Sequence, residues 1–192
     1  MKPFTVHTLE SAPRASKTLL ESSQKDWGFI PTLHGVLAES APTLEAYQQL
    51  FRLSTQSSMS PAEQQLVYLT VSVMHGCEYC AAGHTYLARM SKLDEDVIRA
   101  VREEKPVSDA RLQTLRTFTE AVVRERGFVG DAAVDKFIAA GYTRANVLEV
   151  LLIIACKTIS NYVNHIAHTP LESFMSDPAL NWKARRPAGR VA

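Results

Sequence analysis

The chain has little that would build a sheet. Strand-like alternation is nearly absent, while apolar residues at helical spacing recur from Ala15 to His168, which predicts an all-α fold. Charge of one sign is lacking too. The net charge is +1 over 192 residues, so no strong field draws the protein to nucleic acid or an anionic membrane. The one basic cluster, Lys183, Arg185, Arg186 and Arg190, has Pro and Gly neighbours and is expected to form a flexible, solvated tail over 182–192. Cysteine is scarce and odd in number, three in all, which argues against a secreted disulfide framework. Met1 to Thr8 lacks the apolar core of a signal segment, and no stretch reads as long enough to span a membrane. The expectation is a cytoplasmic single domain over 1–192, with its core at about 28–170 and with neither nucleic acid nor membrane as a partner.

Gly and Pro divide the helical pattern into nine segments. These are Ala15–Lys25, Thr32–Ala38, Thr43–Ser54, Pro61–Met74, Cys77–Met90, Glu95–Glu103, Ala110–Arg126, Ala132–Ala140 and Arg144–His168. Ser60-Pro61-Ala62-Glu63 is a helix start, with Ser60 as cap, Pro61 in the first turn and Glu63 closing a capping box. The run Leu66 to Met74 is apolar almost all round and predicts burial on most faces. Gly76 suits a left-handed cap, which starts a new helix at Cys77. Val147 to Cys156 is a second such helix, expected to pack on the first or to form an oligomer seam. An internal helical repeat is suggested by an offset of 84 residues, which lays Gln65 on Glu149, Cys77 on Asn161 and Cys80 on Asn164.

Cys77, Cys80 and His84 occupy positions i, i+3 and i+7, so one helical face carries two thiols and an imidazole. A helix N-terminus lowers the pKa of a thiol placed there, and a neighbouring imidazole can take its proton or pair with it. A second thiol turns a sulfenic acid into a disulfide before further oxidation. Structural zinc calls for four ligands, and no second Cys pair exists. His7, His34, His75, His165 and His168 offer no matching set, so no metal is expected. Cys156, inside an apolar helix, is expected to be a small buried hydrophobe.

The sequence from Ser60-Pro61-Ala62-Glu63-Gln64-Gln65-Leu66-Val67 into Gly76-Cys77-Glu78-Tyr79-Cys80 and His84 resembles the carboxymuconolactone decarboxylase superfamily. Within it the chain looks like the alkylhydroperoxidase D, or peroxidase-related, branch, as does Lys157-Thr158-Ile159-Ser160-Asn161-Tyr162-Val163-Asn164-His165. The resemblance spans roughly 28 to 170. It implies an all-α fold that assembles into trimers or hexamers. It also implies a thiol peroxidase that reduces hydroperoxides through its Cys pair, with no bound cofactor, and is recycled by a dithiol such as a lipoyl group or a thioredoxin-like protein. The decarboxylase members lack the pair, which favours redox chemistry here.

One position departs from the pattern. The family's relay Glu, twelve residues before the first Cys, is Gln65, which cannot titrate. Glu63 is a capping residue or a substitute for it. Glu149, in an apolar run, is the other candidate, with a pKa raised by desolvation. Tyr79, Tyr162, Asn161, Asn164 and His165 are candidates to line the same pocket; the alternative for Asn161, Asn164 and His165 is that they satisfy helix ends and interface contacts, and His75 either touches the site or complements a helix end. The expected chemistry is attack by Cys80 with His84 as base and Cys77 resolving, although the helix dipole favours Cys77 as the nucleophile. The rivals are a non-redox lyase using His84 and Glu149, and a non-catalytic redox sensor.

Overall fold

The computed structural model describes residues 3–185, and every regular element among them is helical. The α-helices are α1 (Lys17–Trp27), α2 (Thr32–Leu37), α3 (Ala41–Ser54), α4 (Pro61–Met74), α5 (Glu78–Met90), α6 (Glu95–Arg102), α7 (Ala110–Arg124), α8 (Asp131–Ala139) and α9 (Arg144–Ala167). Single 3-10 turns lie at Arg14–Ser16 and Ser173–Ser176.

Helix α4 is the centre of the molecule. Ser60 and Glu63 form the capping box, Pro61 opens the first turn, and every side chain from Glu63 to Val73 is buried. It packs against α5, α6, α7 and α9, and α3 lies across α9. Its end is a Schellman turn. The Gly76 N–H bonds to the Val73 carbonyl at 2.9 Å and the Cys77 N–H to that of Ser72 at 2.9 Å, with Gly76 at φ +68°. A side chain at Gly76 would be strained in that conformation. The break makes Cys77 the N-cap of α5 rather than its first helical residue.

Helix α9 opens on a Thr143–Asn146 capping box and buries Val150, Ile153, Cys156, Lys157, Ser160, Asn161 and Asn164 at steps of three and four. Two expectations are corrected here. With 24 residues and a hydropathy of 1.4, α9 does reach the length and composition of a membrane span. Its inward face carries Lys157, Asn161 and Asn164, which marks it as a core helix facing polar partners. It also runs straight through Ser160, the position paired with Gly76 by the offset of 84. The counterpart of the α4–turn–α5 unit is therefore one continuous helix, and the repeat does not extend to the architecture.

The core reaches beyond 28–170 at both ends. Leu20 is fully buried, and Met175, Leu180 and Trp182 are buried as well. Residues 170–185 form a strap across α2, α5 and α6. Glu172 Oε1 accepts from the Thr32 backbone N–H at 2.6 Å and from the Tyr79 hydroxyl at 2.9 Å. Arg102 donates to the carbonyls of Ala179 and Asn181, and the Trp182 indole donates to the Arg102 carbonyl at 2.8 Å. The expected free tail is thus held at Trp182, because a large indole finds both an apolar seat and an acceptor. Arg186 and Arg190 lie outside the described residues.

Candidate active site

The turn at Gly76 and the straight run of α9 bring the two cysteines against one polar stripe of α9. Both thiols are free and buried. As N-cap, the Cys77 sulfur accepts the Cys80 backbone N–H at 3.4 Å. The Asn164 amide nitrogen lies 3.2 Å from the Cys80 sulfur and 3.6 Å from that of Cys77. One turn further along α5, His84 stacks flat on the Tyr68 ring, with centroids 4.5 Å apart. Its Nδ1 is 2.9 Å from Gln65 Oε1, and its Nε2 is 3.0 Å from Lys157 Nζ. An ammonium only donates, so Nε2 accepts and the imidazole proton sits on Nδ1, donated to Gln65.

Lys157 is the feature that the sequence reading passed over. It is 1% exposed, and no carboxylate among the described residues pairs with it. An unpaired buried ammonium costs several kcal/mol, and the group it favours in ionised form is the Cys80 thiol. Burial is the largest influence on that thiol and opposes ionisation. Hydrogen bonds from Cys77, Lys157 and Asn164, with the charge of Lys157, outweigh it and bring Cys80 down to about 6. Cys77 moves the other way, pushed up by donating its proton to Cys80 and then by burial. Burial, reinforced by Lys157, holds His84 neutral well below the usual imidazole range. Cys156 is pushed up to about 11 by burial.

A cavity of about 790 Å³ opens on this cluster. Cys80, His84 and Lys157 contribute to its wall and Cys77 does not. The rest is largely aromatic and apolar, with Trp27, Phe51, Tyr86 and Met90 from the helices and Phe174 and Met175 from the strap. Gly83 lets the strap lie close, since a Cβ there would come within 3.3 Å of the Met175 methyl. Tyr79 lines the cavity and ties the strap down through Glu172.

Of the residues singled out from sequence, Cys77, Cys80, His84 and Gln65 meet in this cluster. Asn164 joins them, and Tyr79 stands on the cavity wall. His84 does not meet Cys80 as its base, because Lys157 occupies the lone pair that would take the proton. Glu63 is held in the capping box at the first turn of α4 and by Arg111, and it makes no hydrogen bond to the cluster. Glu149 is also elsewhere. It accepts from Ser58 and Asn146 at the start of α9, fifteen residues and about 20 Å before Asn164 along the helix. Its carboxylate finds polar partners because the loop before α4 comes down onto that end of α9. Asn161 bonds His75 at 2.9 Å, and His165 and Tyr162 are exposed. The signal for Lys157 was present in the stripe Lys157, Ser160, Asn161, Asn164, at i, i+3, i+4 and i+7, where four polar residues share the face that an apolar helix buries. Among the described residues no three His, Cys, Asp or Glu side chains converge as metal ligands.

The described residues thus form an all-helical core that presents a Cys-x-x-Cys pair at a helix start, beneath an apolar cavity. Comparison with known proteins shows what this arrangement is similar to. Residues 41–107, which contain the cysteine motif, match the model of the carboxymuconolactone decarboxylase family. The fold is that of the alkylhydroperoxidase AhpD core. An uncharacterized peroxidase-related protein from Ralstonia eutropha JMP134 superposes with a TM-score of 0.79 at 17% identity, over 95% of this chain and 100% of that one. A peroxidase-related protein from Silicibacter sp. TM1040 gives 0.74 at 18% identity, over 91% and 96% of the two chains. A variant of the debrominase Bmp8 in complex with 2,3,4-tribromopyrrole gives 0.74 at 15% identity, over 90% and 93%. No curated protein matches the chain in sequence.

Proposed function

We propose that the protein is a thiol-dependent peroxidase for organic hydroperoxides. The observation that carries this is the division of labour within the pair: Cys80 stands on the wall of the cavity with its ionised form favoured, and Cys77 stands behind it, protonated. The Cys80 thiolate attacks the outer oxygen of the hydroperoxide, the O–O bond breaks, and an alcohol and a sulfenic acid form. The Cys77 thiol then condenses with the sulfenic acid, releasing water and leaving a Cys77–Cys80 disulfide. A dithiol, a lipoyl group or a thioredoxin-like protein, returns both thiols by exchange. The cavity has the size and apolar lining of a site for a drug-sized molecule, which favours a hydroperoxide with a bulky apolar body over hydrogen peroxide.

The exposed face of α9, with Leu148, Leu151, Tyr162 and Ile166, is the seam on which copies of the chain assemble as a trimer or hexamer. The aromatic walls favour a second reading of the same pair, in which an aromatic halide is the oxidant. Two electrons from the thiols and a proton then replace the halogen with hydrogen, and halide leaves. That a neighbour of this fold is a debrominase supports it.

The test is consumption of cumene hydroperoxide and of hydrogen peroxide with dihydrolipoamide or dithiothreitol as donor, beside halide release from a bromopyrrole. The expected result is turnover of cumene hydroperoxide with a kcat/KM at least tenfold above that for hydrogen peroxide, lost in Cys80→Ser. Halide release without hydroperoxide turnover would replace the first reading by the second. No thiol loss with any oxidant would overturn both.

A further inference from the structure

Every oxygen–oxygen cleavage by a thiolate leaves an alkoxide that needs a proton, and the groups around Cys80 offer few sources. Gln65 cannot titrate. His84 has its one proton committed to Gln65 and its other nitrogen occupied by Lys157, and it is neutral. The Cys77 proton is consumed later, in forming water. Facing Lys157 are Cys77 at the cap of α5, Cys80 and His84 within it, Tyr68 from α4, His75 at the end of α4, and Cys156 from its own helix. Among these Cys80 alone carries a negative charge at rest.

We infer that Lys157 is the acid of this site: it is the counter-ion of the Cys80 thiolate in the resting protein and the donor that protonates the leaving oxygen. The inference rests on the peroxidase reading above. The geometry behind it is the placement of one buried amine on the cavity wall that Cys80 shares, braced by His84 at 3.0 Å, with no carboxylate among the described residues in an ion pair with it.

The steps balance. The thiolate and the hydroperoxide give the sulfenic acid and an alkoxide. The alkoxide takes a proton from Lys157, giving the alcohol and a neutral amine. The sulfenic acid and the Cys77 thiol give the disulfide and water. Reduction of the disulfide by a dithiol delivers two protons with two electrons. One proton restores the Cys77 thiol, and the other passes from Cys80 to the amine, which restores the ion pair. The charge of Lys157 thus follows the redox state of Cys80, and the buried site never holds an uncompensated cation. His84 is a positioning residue in this scheme, fixing the amine through its Nε2.

The test uses Lys157→Met, which removes the charge, and Lys157→Arg, which keeps a charge that cannot be deprotonated. Two rates are read: alkylation of Cys80 by iodoacetamide across pH 5 to 9, which requires no peroxide, and single-turnover oxidation by cumene hydroperoxide. In Lys157→Met the alkylation midpoint should rise to or above the free-thiol value of about 8.5. In Lys157→Arg it should stay low while oxidation slows by roughly 10²-fold or more, as for loss of a general acid. Should either variant fail to fold, the wild type decides by proton counting. In weak buffer near neutrality, oxidation by one equivalent of hydroperoxide should take up no net proton, whereas uptake of one proton per pair would show Lys157 still charged beside the disulfide and would overturn the inference. A Met variant with an unshifted midpoint, or an Arg variant that oxidises as fast as wild type, would overturn it as well. A wild type that alkylates normally but is inert to hydroperoxide would instead sink the peroxidase reading, and the acid role with it.

Discussion

At the scale of single residues, the reactivity of the pair comes from neighbours on α9 more than from the end of α5. The sequence put Cys77 at a helix start, where the partial positive charge favours a thiolate. The folded chain spends the Cys77 sulfur as a cap acceptor and its proton on Cys80, so the anion forms at the second thiol, within reach of Lys157 and Asn164. The pH dependence follows from that direction. A thiol lowered to about 6 is mostly ionised at neutrality, so alkylation of Cys80 should be flat above about pH 7 and fall as the pH drops through 6. Asn164→Leu removes the amide hydrogen from both sulfurs. A hydrogen bond to a charged group contributes roughly 1.5–3 kcal/mol, and one pKa unit corresponds to about 1.4 kcal/mol. The midpoint should therefore rise by about one to two units in the alkylation profile. An unshifted midpoint would show that Asn164 contributes packing alone. The two cysteines and the histidine were legible as a motif because their spacing is local. Lys157 was not, since its meaning depends on which residues α9 faces across the core.

At the scale of elements, α4 was the most legible part of the chain. Ser60, Pro61, Glu63, the apolar run and Gly76 each specify a local conformation, and all agree with one another. Glu63 illustrates how a local role settles a choice that spacing leaves open. Both of its oxygens are engaged, one by Ser60 at the helix start and the other by Arg111 from α7. Glu63→Gln should lower stability by about 1 kcal/mol, read as a shift in the urea midpoint, and leave the alkylation rate of Cys80 unchanged. A changed thiol rate at wild-type stability would return Glu63 to the site. The strap over 170–185 was the least legible element. It has one short 3-10 turn and no periodicity, and its apolar residues Phe174, Met175, Leu180 and Trp182 are spaced irregularly. Pro170 reads as an end, and nothing local announces that the chain beyond it covers the cavity. Its contacts to Thr32, Tyr79 and Arg102 are long-range, and they alone define its path.

At the scale of the whole molecule, the apolar residues of α9 lie on two faces. The inner face meets α3 and α4. The outer face leaves Leu148 66% exposed and Ile166 63% exposed, with Leu151 and Tyr162 between them, more apolar surface along one helix than a monomer has reason to show. Paired substitutions Leu148→Glu and Ile166→Glu should convert an oligomer into monomers by light scattering while helical circular dichroism is retained. A wild type that is monomeric at micromolar concentration would remove the seam from the account. The same helix turns its polar stripe inward onto the thiols, so the proposed assembly face and the proposed chemistry would share a single rigid element.

The central claim is that Cys77 and Cys80 are one two-electron unit and that Cys156 stands apart. The most direct measurement treats the reduced protein with one equivalent of cumene hydroperoxide, counts the remaining thiols, and maps the bridge by mass spectrometry of a digest. The account predicts the loss of two thiols per chain, one equivalent of alcohol formed, a Cys77–Cys80 bridge, and Cys156 still reduced in its apolar surroundings. A bridge that includes Cys156, or three thiols surviving alongside unconsumed hydroperoxide, would contradict it.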